Sequence, residues 1–206
     1  MYFNYLGFAL MKNYFLLCFV LFLIFPIKFS YAGDSYAFVR FVQLNDHYIE
    51  TEIEGKYYGV VGEGEASPYH KIAIGNITIR AGESILKGPI HKNKFYSLVV
   101  SGHKEIFLED FPNKEKGKAQ LSLYNFIDGS VLNLNVKVKE EYVPVVVDVL
   151  PDHVGFRGLN SMDAKLRIFS GEEKIGEDFD VILKKGKTYS VFATSEDVFV
   201  SENLYK

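Results

Sequence analysis

The sequence Leu132-Asn133-Leu134-Asn135-Val136-Lys137-Val138-Lys139 alternates apolar and polar side chains at every position. Successive side chains of a β-strand point to opposite faces, so this stretch predicts a strand with one face on a core and the other in solvent. The same period recurs along most of the chain, and no segment keeps an apolar stripe of helical period over three turns. The sequence therefore predicts an all-β protein.

Ten further segments have this strand-like pattern, and turn sequences such as Asp128-Gly129 and Lys185-Gly186 separate many of them. The segments are residues 38–44, 48–53, 57–61, 95–100, 105–108, 121–126, 142–150, 165–169, 179–183 and 189–193. Between Ile72 and Ile79 the alternation changes phase across Gly75-Asn76, which predicts a bulge or tight turn there. Many short strands at this spacing are typical of β-sandwiches.

One stretch breaks the pattern, and it divides the chain. Residues 111–118 carry a run of charges without alternation and are bounded by Pro112 and Gly117, as expected of a linker. We predict two tandem small β-sandwich domains joined by this short charged linker, over residues 33–110 and 119–206.

The two predicted domains resemble each other at both ends. The opening segment 38–46, FVRFVQLND, matches 121–129, LSLYNFIDG. The closing segment 91–99, HKNKFYSLV, matches 184–192, KKGKTYSVF. These matches predict two copies of one sandwich, and chance similarity between amphipathic strands is the alternative.

Residues 1–32 predict a secretory signal peptide. Lys12 precedes an apolar run over residues 14–27, and Ser30 and Ala32 supply small side chains at positions −3 and −1 of a cut after Ala32. We therefore expect a periplasmic protein. An uncleaved membrane anchor is the alternative.

The expected secreted chain starts at Gly33, whether translation begins at Met1 or at Met11. Cys18 is the one cysteine and precedes this start, so the secreted chain would form neither a disulfide nor a thiolate metal site. Removal of Lys12 and Lys28 leaves 21 basic against 26 acidic residues, a net charge of −5. An acidic chain of this kind argues against a nucleic-acid partner.

The sequence predicts no catalytic centre. Gly33-Asp34-Ser35-Tyr36 resembles the nucleophile segment of SGNH-type esterases, but no Asp-x-x-His or Asp-x-His follows to supply a base and its orienting acid. The five histidines lack the spacing of metal ligands; they are His47, His70, His91, His103 and His153. We expect neither enzyme activity, nor a cofactor, nor a metal.

Residues 151–160 depart from simple alternation, and the sequence places them in a loop between two strands. Loops on rigid sandwiches often carry partner contacts. We predict that Phe156 as an apolar anchor, Arg157 as a fork-shaped donor and Asn160 contact a partner. The alternative places Phe156 in the core and Arg157 in a solvated turn.

Several segments, taken in order, resemble the AlgF-type family of alginate O-acetylation proteins. Their order and spacing are preserved across nearly the whole expected secreted chain. They are residues 35–41 (SYAFVRF), Ala66-Ser67 ahead of 75–78, 95–99, 109–118, 120–125, 149–160 with Pro151, Gly155, Arg157 and Asn160, 166–171, and Lys185-Gly186 ahead of Tyr189. One departure is Ile72-Ala73-Ile74, where the family has a proline-rich turn.

This resemblance implies a periplasmic adaptor required for O-acetylation of an exopolysaccharide such as alginate. It implies two kinds of partner, a membrane acyltransferase that loads acetyl groups and SGNH-like acetyltransferases that modify the polymer. A polysaccharide is a further candidate partner, although nothing in the sequence identifies the sugar. An autonomous carbohydrate-binding or chaperone-like sandwich is the alternative function.

Overall fold

The computed structural model describes residues 35–44, 47–101 and 104–205, and the regular elements among them are all β-strands. They are β1 Tyr36–Gln43, β2 Ile49–Ile53, β3 Lys56–Val61, β4 Glu65–Ala66, β5 His70–Ala73, β6 Gly75–Ala81, β7 Ser84–Ile90, β8 Phe95–Ser101, β9 Lys104–Asp110, β10 Ala119–Asn125, β11 Leu132–Val138, β12 Glu141–Val149, β13 His153–Leu159, β14 Met162–Ser170, β15 Glu173–Leu183, β16 Thr188–Ala193 and β17 Val198–Glu202. In these residues no helix is long and apolar enough to cross a membrane. The predicted signal peptide lies outside the described residues.

Four sheets form two sandwiches, which confirms the all-β tandem architecture. In the N-terminal half, sheet I has the order β4-β1-β8-β9, with β5 also on β1, and sheet II the order β3-β2-β6-β7. In the C-terminal half, sheet III has the order β13-β10-β16-β17 and sheet IV the order β12-β11-β14-β15. Each pair of sheets encloses its own apolar core.

Strand β11 has one face on the core, as its alternating sequence predicts. Leu132, Leu134 and Val136 are buried in the C-terminal core, and only Val138 at the strand's end is exposed. The turn predicted at Gly75 is also present, since β5 ends in sheet I at Ala73 and β6 begins in sheet II at Gly75. Gly75 has a φ of +132°, which side chains other than glycine rarely adopt.

The two sandwiches have the same topology, so the predicted duplication extends to strand order and hydrogen bonding. In each half the first strand pairs in parallel with the last but one strand, β1 with β8 and β10 with β16. In each closing segment a backbone N–H donates to a tyrosine hydroxyl, from His91 to Tyr96 at 3.3 Å and from Lys184 to Tyr189 at 3.2 Å. The closing match is therefore in register.

The opening match is wrong by one residue. Arg40 pairs with Ser97 and Ser122 pairs with Ser190, so Phe38 corresponds to Gln120 and not to Leu121. The reason is burial on both faces, because β10 is buried at every position and β1 carries apolar Phe38 and Val42 on its outer face as well as apolar residues on its core face. An apolar pattern sets register only where one face is polar.

Sheets I and III pack together through their outer faces, and we call this interface the seam. Its apolar residues come from both halves; they are Val42, Leu44, Val99, Ile106, Tyr124 and Phe192. At one side of the seam β9 lies beside β13, and at the other β4 lies beside β17. β9 and β17 hold equivalent places in the two halves, and so do β4 and β13. The two contacts are therefore related by an exchange of the halves, as in the isologous interface of a two-fold dimer.

Residues 111–118 connect the two halves, since β9 ends at Asp110 and β10 begins at Ala119. Its chain is hydrogen-bonded locally, since the Asn113 side chain donates to the Lys118 carbonyl at 3.0 Å and accepts from the Glu115 N–H at 2.9 Å. All residues from Ser35 onward belong to one compact unit. The division into domains at residues 33–110 and 119–206 stays a prediction.

Candidate partner-binding surface

The segment predicted as a partner-binding loop is a β-strand for most of its length. Residues 153–159 form β13, which pairs antiparallel with β10 in unbroken register from His153 to Leu159. The loop prediction was wrong because two glycines, which have low strand propensity, hide the alternation. Gly155 has a packing reason, since an added Cβ would lie 2.8 Å from both Val146 and Val149.

Phe156 lies half-exposed at the side of the seam where the two halves meet. Its ring stacks on Phe111 of the linker, with ring centroids 4.7 Å apart and planes 24° apart. Phe156 is 46% exposed and Phe111 is 44% exposed, so the pair presents apolar surface to solvent. Phe156 is therefore not a core residue, and the structure leaves it accessible for the predicted partner contact.

Arg157 and Asn160 are not on the same surface as Phe156. Adjacent strand residues face opposite ways, so Arg157 projects from the other face of β13, and Asn160 follows the strand's end. Both are exposed, and the Arg157 side chain makes no hydrogen bond or ion pair with any described residue. The three predicted contact residues thus surround one strand edge, and their role in binding stays a prediction.

A cluster of lysines that the sequence analysis did not single out lies at the Leu159 end of this strand. We call it the basic end, and it consists of Lys114, Lys116 and Lys118 of the linker and Lys184, Lys185 and Lys187 of the β15–β16 turn. The two segments are tied together, because the Gly186 N–H donates to the Lys118 carbonyl at 2.9 Å. Two of the lysines form ion pairs, Lys118 with Glu115 and Lys187 with Glu202, each at 2.7 Å. The other four have no ion pair in the described part of the chain.

The seam contains a buried polar cluster around Arg40, which is 1% exposed. The guanidinium donates to Ser97 Oγ at 2.7 Å and Ser190 Oγ at 3.0 Å, one serine from each half. It also donates to Asn203 Oδ1 at 2.7 Å and Tyr124 Oη at 2.9 Å. Because all four acceptors converge on one side chain, the cluster sets the position of one sandwich on the other.

Asp110 is the anion of this cluster. Arg40 Nε lies 3.9 Å from Asp110 Oδ2, and the Ser97 hydroxyl bridges them by donating to the same oxygen at 2.5 Å. Tyr69 donates to Asp110 Oδ2 at 2.7 Å and Tyr124 donates to Oδ1 at 2.6 Å. Burial raises the pKa of the Tyr69 and Tyr124 hydroxyls well above the ordinary tyrosine value, and the Asp110 carboxylate raises them further.

One feature of the sequence indicates the serines of the Arg40 cluster. The Tyr-Ser pair recurs in both closing segments, at Tyr96-Ser97 and Tyr189-Ser190, and in both copies the serine lies on the seam face. Arg40 itself gave no signal, because a single arginine on a strand is usually solvated.

A second polar cluster lies on the outer face of sheet IV. Arg167 donates to both carboxylate oxygens of Asp178 at 2.8 Å each, and its guanidinium carbon lies 3.9 Å from the centre of the Tyr142 ring. The Arg167 hydrogen bonds, followed by that of the Tyr142 hydroxyl, hold the pKa of Asp178 well below its ordinary value. The Asp178 carboxylate is thus bound by Arg167 and Tyr142, and it is not available to a ligand.

The residues considered for catalysis are not assembled into a site in the described residues. Ser35 precedes β1, and His91 and His153 are exposed on other segments. The His153 ring lies against its own turn, with Nδ1 2.7 Å from the Pro151 carbonyl. Within residues 35–44, 47–101 and 104–205, no three His, Asp or Glu side chains lie close enough to hold a metal ion.

Comparison with known proteins identifies related sequences. A family model described as "Alginate O-acetyl transferase AlgF" matches residues 30–190. The Alginate biosynthesis protein AlgF of Pseudomonas aeruginosa is 26% identical over 164 residues, which cover 79% of this chain and 74% of that protein. The Azotobacter vinelandii protein of the same name is 25% identical over 164 residues, with the same shares covered.

Two solved structures are also similar to parts of the chain. The N-terminal domain of AlgF from P. aeruginosa matches with a TM-score of 0.35 and 21% identity, and covers 39% of this chain and 99% of that chain. The C-terminal domain of the same protein matches with a TM-score of 0.33 and 25% identity, and covers 42% of this chain and 96% of that chain.

Proposed function

The chain belongs to the AlgF family of alginate O-acetylation proteins, and on this premise we propose that it is a non-catalytic adaptor of exopolysaccharide O-acetylation in the periplasm. In this role it holds an acetyl-loading membrane acyltransferase and an SGNH-like acetyltransferase in contact. The adaptor itself supplies surfaces and geometry, and its partners supply the chemistry.

The seam is the observation that carries this proposal. Arg40 joins both sandwiches through Ser97 and Ser190, so the two halves are fixed relative to each other rather than joined by a loose tether. Such a rigid double sandwich has outer sheets II and IV facing away from the seam, and it can hold two partners at a constant separation. This geometry suits an adaptor.

The polar chemistry of the chain supports a non-catalytic role. A serine nucleophile needs a neighbouring base to accept its proton. Ser97 and Ser190 are buried, and they donate their hydroxyl protons to Asp110 at 2.5 Å and Asn203 at 2.8 Å within a cluster that includes no histidine. Both serines therefore act in packing.

The periplasmic location rests on residues 1–32 and is tested by fractionation. We expect the chain produced in its bacterial host to appear in the periplasmic fraction with Gly33 as its first residue. A chain retained in the membrane with residues 1–32 attached would contradict this location.

The adaptor function is tested by comparing the polymer with the purified protein. Deletion of the gene should remove acetyl groups from the exopolysaccharide, and the wild-type gene should restore them. Purified protein should neither hydrolyse a chromogenic acetyl ester nor transfer its acetyl group, and Ser35→Ala should leave that baseline unchanged. Turnover by the wild-type protein that is lost in Ser35→Ala would show an enzyme instead.

A further inference from the structure

The outer edge of β13 is the least protected strand edge in the described part of the chain. No described strand pairs with that edge, since β13 ends the order of sheet III. Its seven residues run without a bulge or a proline, and Arg157 is its one residue with a permanent charge. Natural proteins usually protect exposed edges with charges, prolines, bulges or short strands.

The other edge strands carry such protection. Pro89 lies in β7 and Pro144 in β12, and β12 and β15 also contain register shifts. The remaining edges are β3, which has a register shift; β9, which carries four charged residues; and β17, which has five residues. The N-terminal counterpart of β13 is split into β4 and β5 by Ser67-Pro68. The open edge is thus specific to one copy of the repeat.

The hydrogen-bond pattern identifies which groups of this edge are free. Gln120 and Phe126 of the β10 segment donate their N–H groups to Lys187 and Ala193 on the β16 side. Backbone directions alternate along a strand, so even-numbered residues of β10 bond to β16 and odd-numbered residues bond to β13. Leu121 pairs with Arg157, so the Arg157 N–H points inward. The N–H groups of Val154, Phe156 and Gly158 therefore point outward.

The surroundings of this edge favour a negatively charged partner. An added Cβ at Gly158 would lie 3.3 Å from both the Lys118 side chain and Glu115 Oε1, so the ion pair of these two residues lies against the end of β13, next to the unpaired lysines of the basic end. Four lysines there have no ion pair in the described residues, and Arg157 adds a fifth unpaired cation. This concentration of positive charge occurs on a chain whose expected secreted form carries −5.

We propose that β13 accepts an extended segment of a protein partner as an additional strand, and that acidic side chains of this segment face the basic end. Backbone hydrogen bonds to Val154, Phe156 and Gly158 would supply affinity, as in other complexes formed by strand addition. The exposed Phe111–Phe156 pair binds an apolar side chain of the same segment. The proposal rests on the adaptor function and specifies how one partner docks.

A proline substitution tests the added strand without removing a side chain. Gly158→Pro deletes an outward N–H and leaves the bonds to β10 in place, since prolines are tolerated on edge strands. The matched control is Val200→Pro on β17 at the opposite edge of sheet III. The Asn203 N–H donates inward to Thr188, so by the same alternation the Val200 N–H points outward.

The probe is the purified SGNH-like acetyltransferase of the same host, and binding is measured by interferometry. We expect Gly158→Pro to weaken binding at least tenfold and Val200→Pro to leave it within twofold, with both variants keeping the wild-type melting temperature. Arg157→Ala should weaken binding several-fold at low salt and less at 0.5 M salt. Equal binding by Gly158→Pro and wild type would overturn the proposal and leave the adaptor function standing.

Hydrogen exchange on the wild-type chain provides a test without mutation. In the free protein we expect fast exchange at Val154, Phe156 and Gly158 and slow exchange at Gly155 and Arg157. Bound acetyltransferase should slow the first three. If polymannuronate oligosaccharides, and not the acetyltransferase, slow exchange at these three amides, the edge binds a polysaccharide and the proposal of an added protein strand is wrong. No binding of the acetyltransferase or the membrane acyltransferase to the wild-type chain would instead contradict the adaptor function itself.

Discussion

Asp110 and Asn203 occupy equivalent positions in the two sandwiches, and both contact the Arg40 cluster, but only Asp110 is an acid. The equivalence follows from pairing, since Tyr96 pairs with Glu109 and Tyr189 pairs with Glu202, one residue before each. In both copies the serine hydroxyl donates to this residue, Ser97 to Asp110 and Ser190 to Asn203. One buried cation is thus matched by one buried acid, where two aspartates would leave an excess negative charge.

Changing this charge balance should destabilise the seam. Asp110→Asn leaves Arg40 buried without its anion, and we expect a loss of about 3–5 kcal/mol in the free energy of unfolding, measured by urea denaturation. Adding Asn203→Asp to this variant should restore at least half of the loss, because Asn203 Oδ1 already lies 2.7 Å from Arg40 Nη1. If the double variant loses as much unfolding free energy as the two single variants added together, an aspartate at position 203 does not replace Asp110 as the anion for Arg40.

Alkaline pH should weaken the fold through Tyr69 and Tyr124. Both hydroxyls have a pKa raised by burial, whereas in the unfolded chain they ionise near about pH 10. Their contribution is complete well below that pH and is lost as the pH rises above it, by about 2 kcal/mol for the two together between pH 10 and 11.

The slope of unfolding free energy between pH 10 and 11 measures this effect. Tyr124→Phe should reduce the slope by about half of the tyrosine contribution. Surface lysines with raised pKa, such as Lys94 and Lys187, also lose their ion pairs at alkaline pH, so the difference between variant and wild type isolates the tyrosine. An unchanged slope would indicate that Tyr124 ionises at its ordinary pKa in the folded protein.

Cleavage of the linker should leave both halves folded and together. Lys114 and Lys116 are exposed to trypsin, and each sandwich has its own core. We expect the two resistant fragments to elute as one species of the intact size, because the seam holds them without the linker. Arg40→Ala should allow the cleaved halves to separate. Separation of the wild-type halves would mean that the linker, and not the seam, fixes their arrangement.

Gly155→Ala should destabilise the C-terminal sandwich, because the new Cβ would lie 2.8 Å from Val146 and Val149. We expect a loss of about 1–3 kcal/mol, as for other overpacked cores. Gly88→Ala on β7 is the control, since no atom lies within 4 Å of a Cβ there. Both are compared by thermal unfolding. A melting temperature of Gly155→Ala equal to that of the control would place β13 farther from β12.

The sequence predicted the fold where one side of a strand is polar. Leu132, Leu134 and Val136 point inward as the alternation required, and Gly75 marks the predicted change of sheet. The prediction was least reliable where both sides are buried, because polarity then no longer distinguishes the faces and the register of the repeat slipped by one residue.

The partner-binding role of the candidate surface stays a prediction, and the loop predicted for it was wrong. The sequence singled out Phe156, Arg157 and Asn160, and all three are exposed around one strand edge. The sequence predicted a loop because Gly155 and Gly158 interrupt the alternation of apolar and polar residues. Gly155 is required by its contacts with Val146 and Val149 of β12, which the local sequence around Gly155 does not reveal. The Arg40 cluster joins residues up to 163 positions apart, a separation at which local sequence patterns carry no information.

Residues 203–205, at the end of the sequence, contact Arg40 and Tyr69 of the N-terminal half, so the seam can be completed only late in synthesis. The Tyr69 N–H donates to the Leu204 carbonyl at 2.8 Å, and the Tyr205 ring stacks on the Tyr69 ring. Arg40 therefore leaves the ribosome more than 160 residues before Asn203, its last hydrogen-bonding partner. Until Asn203 is present the Arg40 cluster lacks one of its acceptors, and the apolar seam residues of the first sandwich have no complete partner face. Arg40 can complete its set of hydrogen bonds only after residue 203 has been synthesised, so the seam is one of the last parts of the protein to form.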